Sequence, residues 1–235
     1  MRKAIPGPGK PAAIVFDFDG VIVDSEPIHL LGFRRALGLV GGKMSDEEYY
    51  GKYVGYDDGD CFRMALTELG AKADDEEIAR LTAVKSEFVN RTLAESATPV
   101  DGAVNLIRSA ASASIPLGIC SGALREEILT AARRIDVLDH FTTIVAAKDV
   151  SQGKPAAEGY ELAMRRLSAS CGRELPARRC VAIEDSCTGI EAVKSAGMKV
   201  VAVATSHPIE KLSQADLVAA CPAGITLKAL CDLVS

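Results

Sequence analysis

The stretch Ala12-Ala13-Ile14-Val15-Phe16-Asp17-Phe18-Asp19-Gly20 decides the fold. An unbroken apolar run, β-branched at Ile14 and Val15, stops at an aspartate. That is the pattern of a short central strand buried on both faces of a parallel sheet. The pattern returns at residues 115–120, 143–146, 180–183 and 200–204. Helical spacing lies between these runs, as in Leu124, Ile128, Ala132 and Ile135, or in Ile190 and Val193 with Gly197 to close. Strands alternating with helices predict an α/β fold, a Rossmann-like doubly wound parallel sheet.

One segment breaks the alternation. Residues 27–96 carry only helical spacing, for example Leu30-Phe33-Leu37 and Ile78-Leu81-Val84-Phe88. They are expected to form a helical insert within a core made of residues 12–26 and 97–235. The turn formers of Thr98-Pro99-Val100-Asp101-Gly102 mark the return. An insert there lies at the carboxyl end of the first strand, where open α/β sheets bind ligands. Residues 1–11, with Pro6, Pro8 and Pro11, are expected to be a flexible tail.

Composition narrows the function classes. The chain has 235 residues, 48% hydrophobic and 25% charged, with a net charge of −5. A chain of this size and make-up buries a sizeable core and is neither disordered nor a disulfide scaffold. The mild negative charge, with no Lys/Arg run, argues against a nucleic-acid partner. No stretch approaches the ~20 apolar residues that span a bilayer, and the run ending at Phe16 is too short for a signal peptide, so no membrane partner is expected. Seven cysteines without a C-x-x-C pair read as buried, reduced thiols of a cytoplasmic protein. A monomer is expected.

Asp17 and Asp19 share one side of the chain, separated by a bulky apolar residue and followed by a glycine that permits a sharp turn. Alone, the pair is equally compatible with turn aspartates. Glu184-Asp185 changes the balance, because a second acidic pair again follows a short apolar run, Val181-Ala182-Ile183. Four carboxylates are then expected at one sheet edge, where two unit charges 4 Å apart repel by ~4 kcal/mol at an effective dielectric of 20. Oxygen ligands without His or Cys select a hard divalent cation, Mg²⁺ where phosphate is the other ligand. Ser121-Gly122, between a strand and the helix expected near Leu124, offers a hydroxyl and backbone N–H groups to an anion, although taken alone Ser121 reads better as a plain helix cap. Gly153-Lys154-Pro155 is expected to begin another helix, where a lysine opposes the macrodipole unless an anion stands nearby.

With these motifs in order, the chain resembles the haloacid dehalogenase superfamily, in its phosphatase and β-phosphoglucomutase branch with a helical cap after the first strand. The motifs are Asp17-Phe18-Asp19-Gly20-Val21, Ser121-Gly122, Gly153-Lys154-Pro155, and Glu184-Asp185-Ser186 followed by Gly189-Ile190 and Ala196-Gly197-Met198. The resemblance implies Asp17 as nucleophile through an aspartyl-phosphate and Asp19 as general acid and base. It implies Mg²⁺ held by the Asp17 carboxylate, the Asp19 carbonyl and Asp185, with Glu184 a direct or outer ligand. Ser121, Gly122 and Lys154 would bind the phosphoryl group. Asp19 sets the chain apart from members that cleave carbon–halogen bonds or phosphonates.

The resemblance also places Asp24-Ser25-Glu26-Pro27-Ile28-His29 at the hinge into the cap and residues 51–60 in its specificity loop. Glu26, Lys52, Tyr56 and Asp58 are candidate substrate contacts, with His29 of open role. β-Phosphoglucomutases carry an arginine in this loop for a second phosphate; here Asp57, Asp58 and Gly59 stand there, with Arg63 a turn further on. The implied substrate is a small phosphate ester, such as a sugar phosphate. The implied activity is hydrolysis, with a phosphomutase or a non-catalytic sugar-phosphate binder as alternatives.

Overall fold

A computed structural model describes residues 9–54 and 56–235. Of the expected tail, residues 1–8 lie outside the described residues, and so does Gly55 of the specificity loop. The chain divides into two compact units. One takes the described residues up to Asp24 together with Thr98–Ser235, and the other is Ser25–Ala97.

The first unit is built on β1 (Ala13–Phe16), β2 (Leu117–Cys120), β3 (Thr143–Val145), β4 (Cys180–Glu184), β5 (Lys199–Val203) and β6 (Leu217–Ala219). All pairings are parallel, in the order β3-β2-β1-β4-β5-β6. Every residue of β1, β2 and β4 is buried, which is why these strands read as continuous apolar runs. On one face Val15, Ala182 and Val200 pack with Tyr160, Ala163 and Leu167, and with Ile190 and Val193. The first trio of helical residues belongs to α7 (Glu158–Cys171) and the pair to α8 (Cys187–Ser195). Burying each such Val, Leu or Ile contributes roughly 1.5–3 kcal/mol.

Register then builds a site. Phe16 stands level with Ile119 in β2 and Ile183 in β4, so the residues that follow each strand emerge along one edge. Strand order also reverses here, with β2 and β3 on one side of β1 and β4 to β6 on the other, all parallel. Ligands bind at such a switch point.

Several expectations need correction. The run from residue 115 becomes a strand only at Leu117, because Pro116 has no N–H to give a ladder; its carbonyl accepts from Ile14 N at 3.0 Å. The short, half-buried edge strand β6 goes beyond the expected strands: its run is apolar, but Val218 is its one β-branched residue. Lys154 does not begin a helix. Gly153 to Ala156 form a turn closed by Ala156 N–H to Gly153 O at 3.0 Å, and α7 starts at Glu158 with Ala157 as its cap. The macrodipole argument therefore does not apply to it. Nor does Ser121 cap a helix: α6 (Arg125–Arg134) is capped at Leu124. Of the seven thiols, Cys61, Cys120 and Cys180 are buried, while Cys187 is exposed and Cys171, Cys221 and Cys231 are partly so; all are free.

The second unit comprises α1 (Glu26–Gly38), the single turn α2 (Asp46–Glu48), a π-helical turn at Tyr49–Tyr53, α3 (Asp58–Glu68) and α4 (Asp75–Ser96). Asp57 accepts from Asp60 N at 2.9 Å and Asp74 from Glu77 N at 3.0 Å, so each long acidic start is a side-chain-capped helix. Phe33 packs at 5.0 Å from Phe62 and 5.8 Å from Tyr49, ring centre to ring centre, over Leu37, Leu66 and Leu81. No helix among the described residues is long and apolar enough to cross a membrane.

Candidate active site

Asp17 is the first residue past β1, and its N–H continues the ladder to Ile183 O at 2.9 Å. That bond fixes its backbone at the sheet edge, 7% exposed. The Lys154 ammonium lies 2.7 Å from Asp17 Oδ1 and 2.5 Å from Glu184 Oε1. Ligand oxygens of Asp17, Glu184 and Asp185 all fall within 4.8 Å of one another. Asp19 does not join with its carboxylate, so three of the four expected side chains converge. Its Oδ2 instead accepts from the Ser121 hydroxyl at 3.5 Å, while Ser121 Oγ accepts from Ala123 N at 2.9 Å. Gly122 follows, exposed, with open space beside its Cα.

Gly20 makes the cluster possible. Its φ is +71°, and a Cβ would stand 2.0 Å from Asp185 Oδ2. Thr205 donates to Gly20 O at 2.5 Å, and the Ser206 hydroxyl donates to Asp185 Oδ2. The segment after β5 thus ties both acidic loops together.

Burial dominates the electrostatics. It pushes the Asp17 carboxyl up to about 7 against the pull of Lys154, with Glu184 and Asp19 adding repulsion. Asp185 is likewise raised well above the carboxylate range, by burial first and then by Asp17 and Glu184. Burial opposes the Lys154 charge, but Asp17 and Glu184 outweigh it and hold the ammonium protonated far above its ordinary value. Were all three carboxylates ionised, the single ammonium would leave two negative charges unbalanced. The donor set is all oxygen, buried, and short of two positive charges, which fits a hard divalent cation.

A family model for haloacid dehalogenase-like hydrolases matches residues 14–203, a span that holds every motif quoted above. The chain belongs to that family. Three similarities extend over most of this hydrolase. The phosphorylated carbohydrates phosphatase of Thermotoga maritima is 28% identical over 187 residues, covering 80% of this chain and 82% of the relative. The β-phosphoglucomutase of Bacillus subtilis is 29% identical over 227 residues, 93% of each chain. The crystal structure of CbbY from Rhodobacter sphaeroides in complex with phosphate superposes with a TM-score of 0.80 at 25% identity, covering 91% of this chain and 95% of that one. The enzyme class is that of a haloacid dehalogenase-like phosphoric monoester hydrolase.

Within the second unit of this hydrolase, three of the cap candidates, Glu26, Lys52 and Asp58, pair with other side chains of that unit. Glu26 Oε2 accepts from Tyr49 OH at 2.5 Å. Lys52 pairs with Glu68, and Tyr56 is 58% exposed. Asp58 pairs with Lys85, whose ammonium also lies 2.9 Å from His29 Nδ1 and 4.4 Å from the Phe33 ring centre. Arg63 pairs with Asp75 at 3.0 Å.

Sequence reasoning missed Tyr160, Thr205, Ser206 and Lys85. Lys85 carried a signal, a charge among the apolar positions of α4. Ser206 stands three residues past β5, where a serine is too common to stand out.

Proposed function

We propose that this chain is a Mg²⁺-dependent phosphatase of a small, singly phosphorylated sugar or polyol, working through an aspartyl-phosphate on Asp17. The observation that carries the reading is Asp17 Oδ1, buried at a sheet edge and held 2.7 Å from Lys154. An ion pair in that position offsets part of the cost of burying the carboxylate and fixes its aim. Asp17, Asp185 and the Asp19 carbonyl would hold the ion, which when bound neutralises the carboxylates and polarises the phosphoryl group.

The remaining steps belong to the protein. Asp17 Oδ attacks phosphorus as the ester P–O bond breaks, and the departing oxygen takes its proton from Asp19. Asp19 then accepts a proton from water as that water attacks the phosphoaspartate, releasing inorganic phosphate and restoring Asp17. Lys154, Ser121 and Gly122 bind the equatorial oxygens, where positioning and charge provide most of the acceleration.

A second reading, a phosphomutase, draws on the similarity to β-phosphoglucomutase along 93% of both chains. Against it, Lys52, Arg63 and Lys85 each pair with an acid inside their own unit, which leaves them poorly suited to a second phosphate. The purified protein should release phosphate from p-nitrophenyl phosphate with Mg²⁺, and Asp17→Asn should lose at least about a thousandfold in kcat. An inactive wild type, or turnover surviving in Asp17→Asn, overturns the proposal. Conversion of β-glucose 1-phosphate to glucose 6-phosphate with little free phosphate would select the mutase.

A further inference from the structure

Tyr160 is fully buried on the apolar face of α7, yet its hydroxyl is not spent on packing. It donates to Glu184 Oε1 at 2.6 Å, the same oxygen that receives Lys154 Nζ at 2.5 Å. Lys154 Nζ also lies 5.5 Å from the Tyr160 ring centre. The other Glu184 oxygen is equally occupied: Oε2 accepts from Asp185 N at 3.1 Å, Ser186 N at 3.3 Å and Ser186 Oγ at 3.1 Å. Gly189 closes the remaining space, since a Cβ there would stand 2.0 Å from Glu184 Cδ. Glu184 is therefore a fixed, fully hydrogen-bonded carboxylate.

From this geometry we infer that Tyr160 is a positioning residue for phosphoryl transfer, acting through Glu184 to hold Lys154 against Asp17. The inference rests on the phosphatase reading above. Tyr160 and Lys154 compete for a single oxygen, Glu184 Oε1. With Tyr160 in place, Oε1 is shared, and Lys154 divides its donors between Glu184 and Asp17. Without the hydroxyl, Oε1 keeps Lys154 as its sole donor, and a buried carboxylate oxygen with an open lone pair draws the ammonium closer. Lys154 then shifts away from Asp17 and from the oxygens of the transferring group, where small displacements are costly.

Tyr160→Phe removes one oxygen and keeps the ring in the core, so folding is checked directly by thermal unfolding. We expect kcat to fall roughly tenfold, the size typical of a lost hydrogen bond to a charged group. KM and the Mg²⁺ concentration for half-activity should both stay within about twofold. In a Glu184→Gln background, Tyr160→Phe should cause no further loss, because the residue it acts through is already altered. A Tyr160→Phe variant with wild-type kcat, a change in KM alone, or a full additional loss in the Glu184→Gln background overturns the inference. So does a Mg²⁺ requirement that rises with the loss of the hydroxyl. An inactive wild type overturns the phosphatase reading and this inference together, whereas an active wild type with an unaffected Tyr160→Phe overturns the inference alone.

Discussion

Gly20 carries as much of the site as the acids around it. At φ +71°, with Asp185 Oδ2 and Ser206 Oγ respectively 2.0 and 2.6 Å from where a Cβ would lie, it has no room for a side chain. Gly20→Ala must strain the turn or push Asp185 aside. The variant should lose most of its activity, need more Mg²⁺ for what remains, and be less stable by about 1–2 kcal/mol in urea unfolding. Wild-type Mg²⁺ dependence in Gly20→Ala would show that Asp185 tolerates displacement. Single residues differ sharply in how far sequence reveals them. Asp17 and Glu184-Asp185 were legible because two acidic pairs each end an apolar run, a recurrence that turn aspartates alone do not explain. Tyr160 was not, because at the spacing of Ala163 and Leu167 it reads as core, and only coordinates show where its hydroxyl goes.

At the level of elements, β1, β2, β4 and β5 were legible because burial leaves an unbroken, β-branched apolar record, while the apolar run at β6 holds Val218 as its one β-branched residue and is only half-buried. The segment before α7 was misread because its order comes from side chains that no period reports. Glu158 accepts from Ser151 N at 3.0 Å, Ser151 Oγ at 2.8 Å and Gln152 N at 2.9 Å, so a carboxylate at the start of α7 shapes the loop leading to Lys154. In the other unit α4 places Lys85, 2% exposed, against Asp58 and His29. Its stem fills core volume and its charge balances an aspartate that is 27% exposed. Lys85→Ala should therefore cost about 2–4 kcal/mol, by cavity and unpaired charge together. Lys85→Met keeps the volume and leaves Asp58 a route to water, so it should cost less than about 1.5 kcal/mol. Equal losses in urea unfolding would mean that the stem contributes nothing.

Across the whole molecule, the alternation of strands and helices is legible in the sequence, and the change of strand order at β1, which is not, gathers buried acids at one edge. That concentration makes stability depend on pH in an unusual direction. Asp17 rises from 3.8 to about 7 on folding, and Asp185 rises as well. Between those limits the folded, metal-free protein binds protons that the unfolded chain has released, so stability falls as pH climbs through the window. The lowered carboxylates, Glu48, Asp74, Glu77, Asp149 and Glu158, work in the opposite sense, but only at and below the ordinary carboxylate range. The two effects are therefore separated on the pH axis. A divalent cation needs ionised carboxylates and binds only the folded site, so its stabilisation grows as the proton-linked stability fades. With a chelator, Tm should decline from about pH 5 to about pH 8, and added Mg²⁺ should raise Tm more at the higher pH. Asp17→Asn should flatten the chelator profile, since an amide neither gains nor loses a proton there. A Mg²⁺ shift as large at about pH 5 as at about pH 8 would mean that the ion does not compete with protons for these carboxylates, and that the buried cluster is not where it binds.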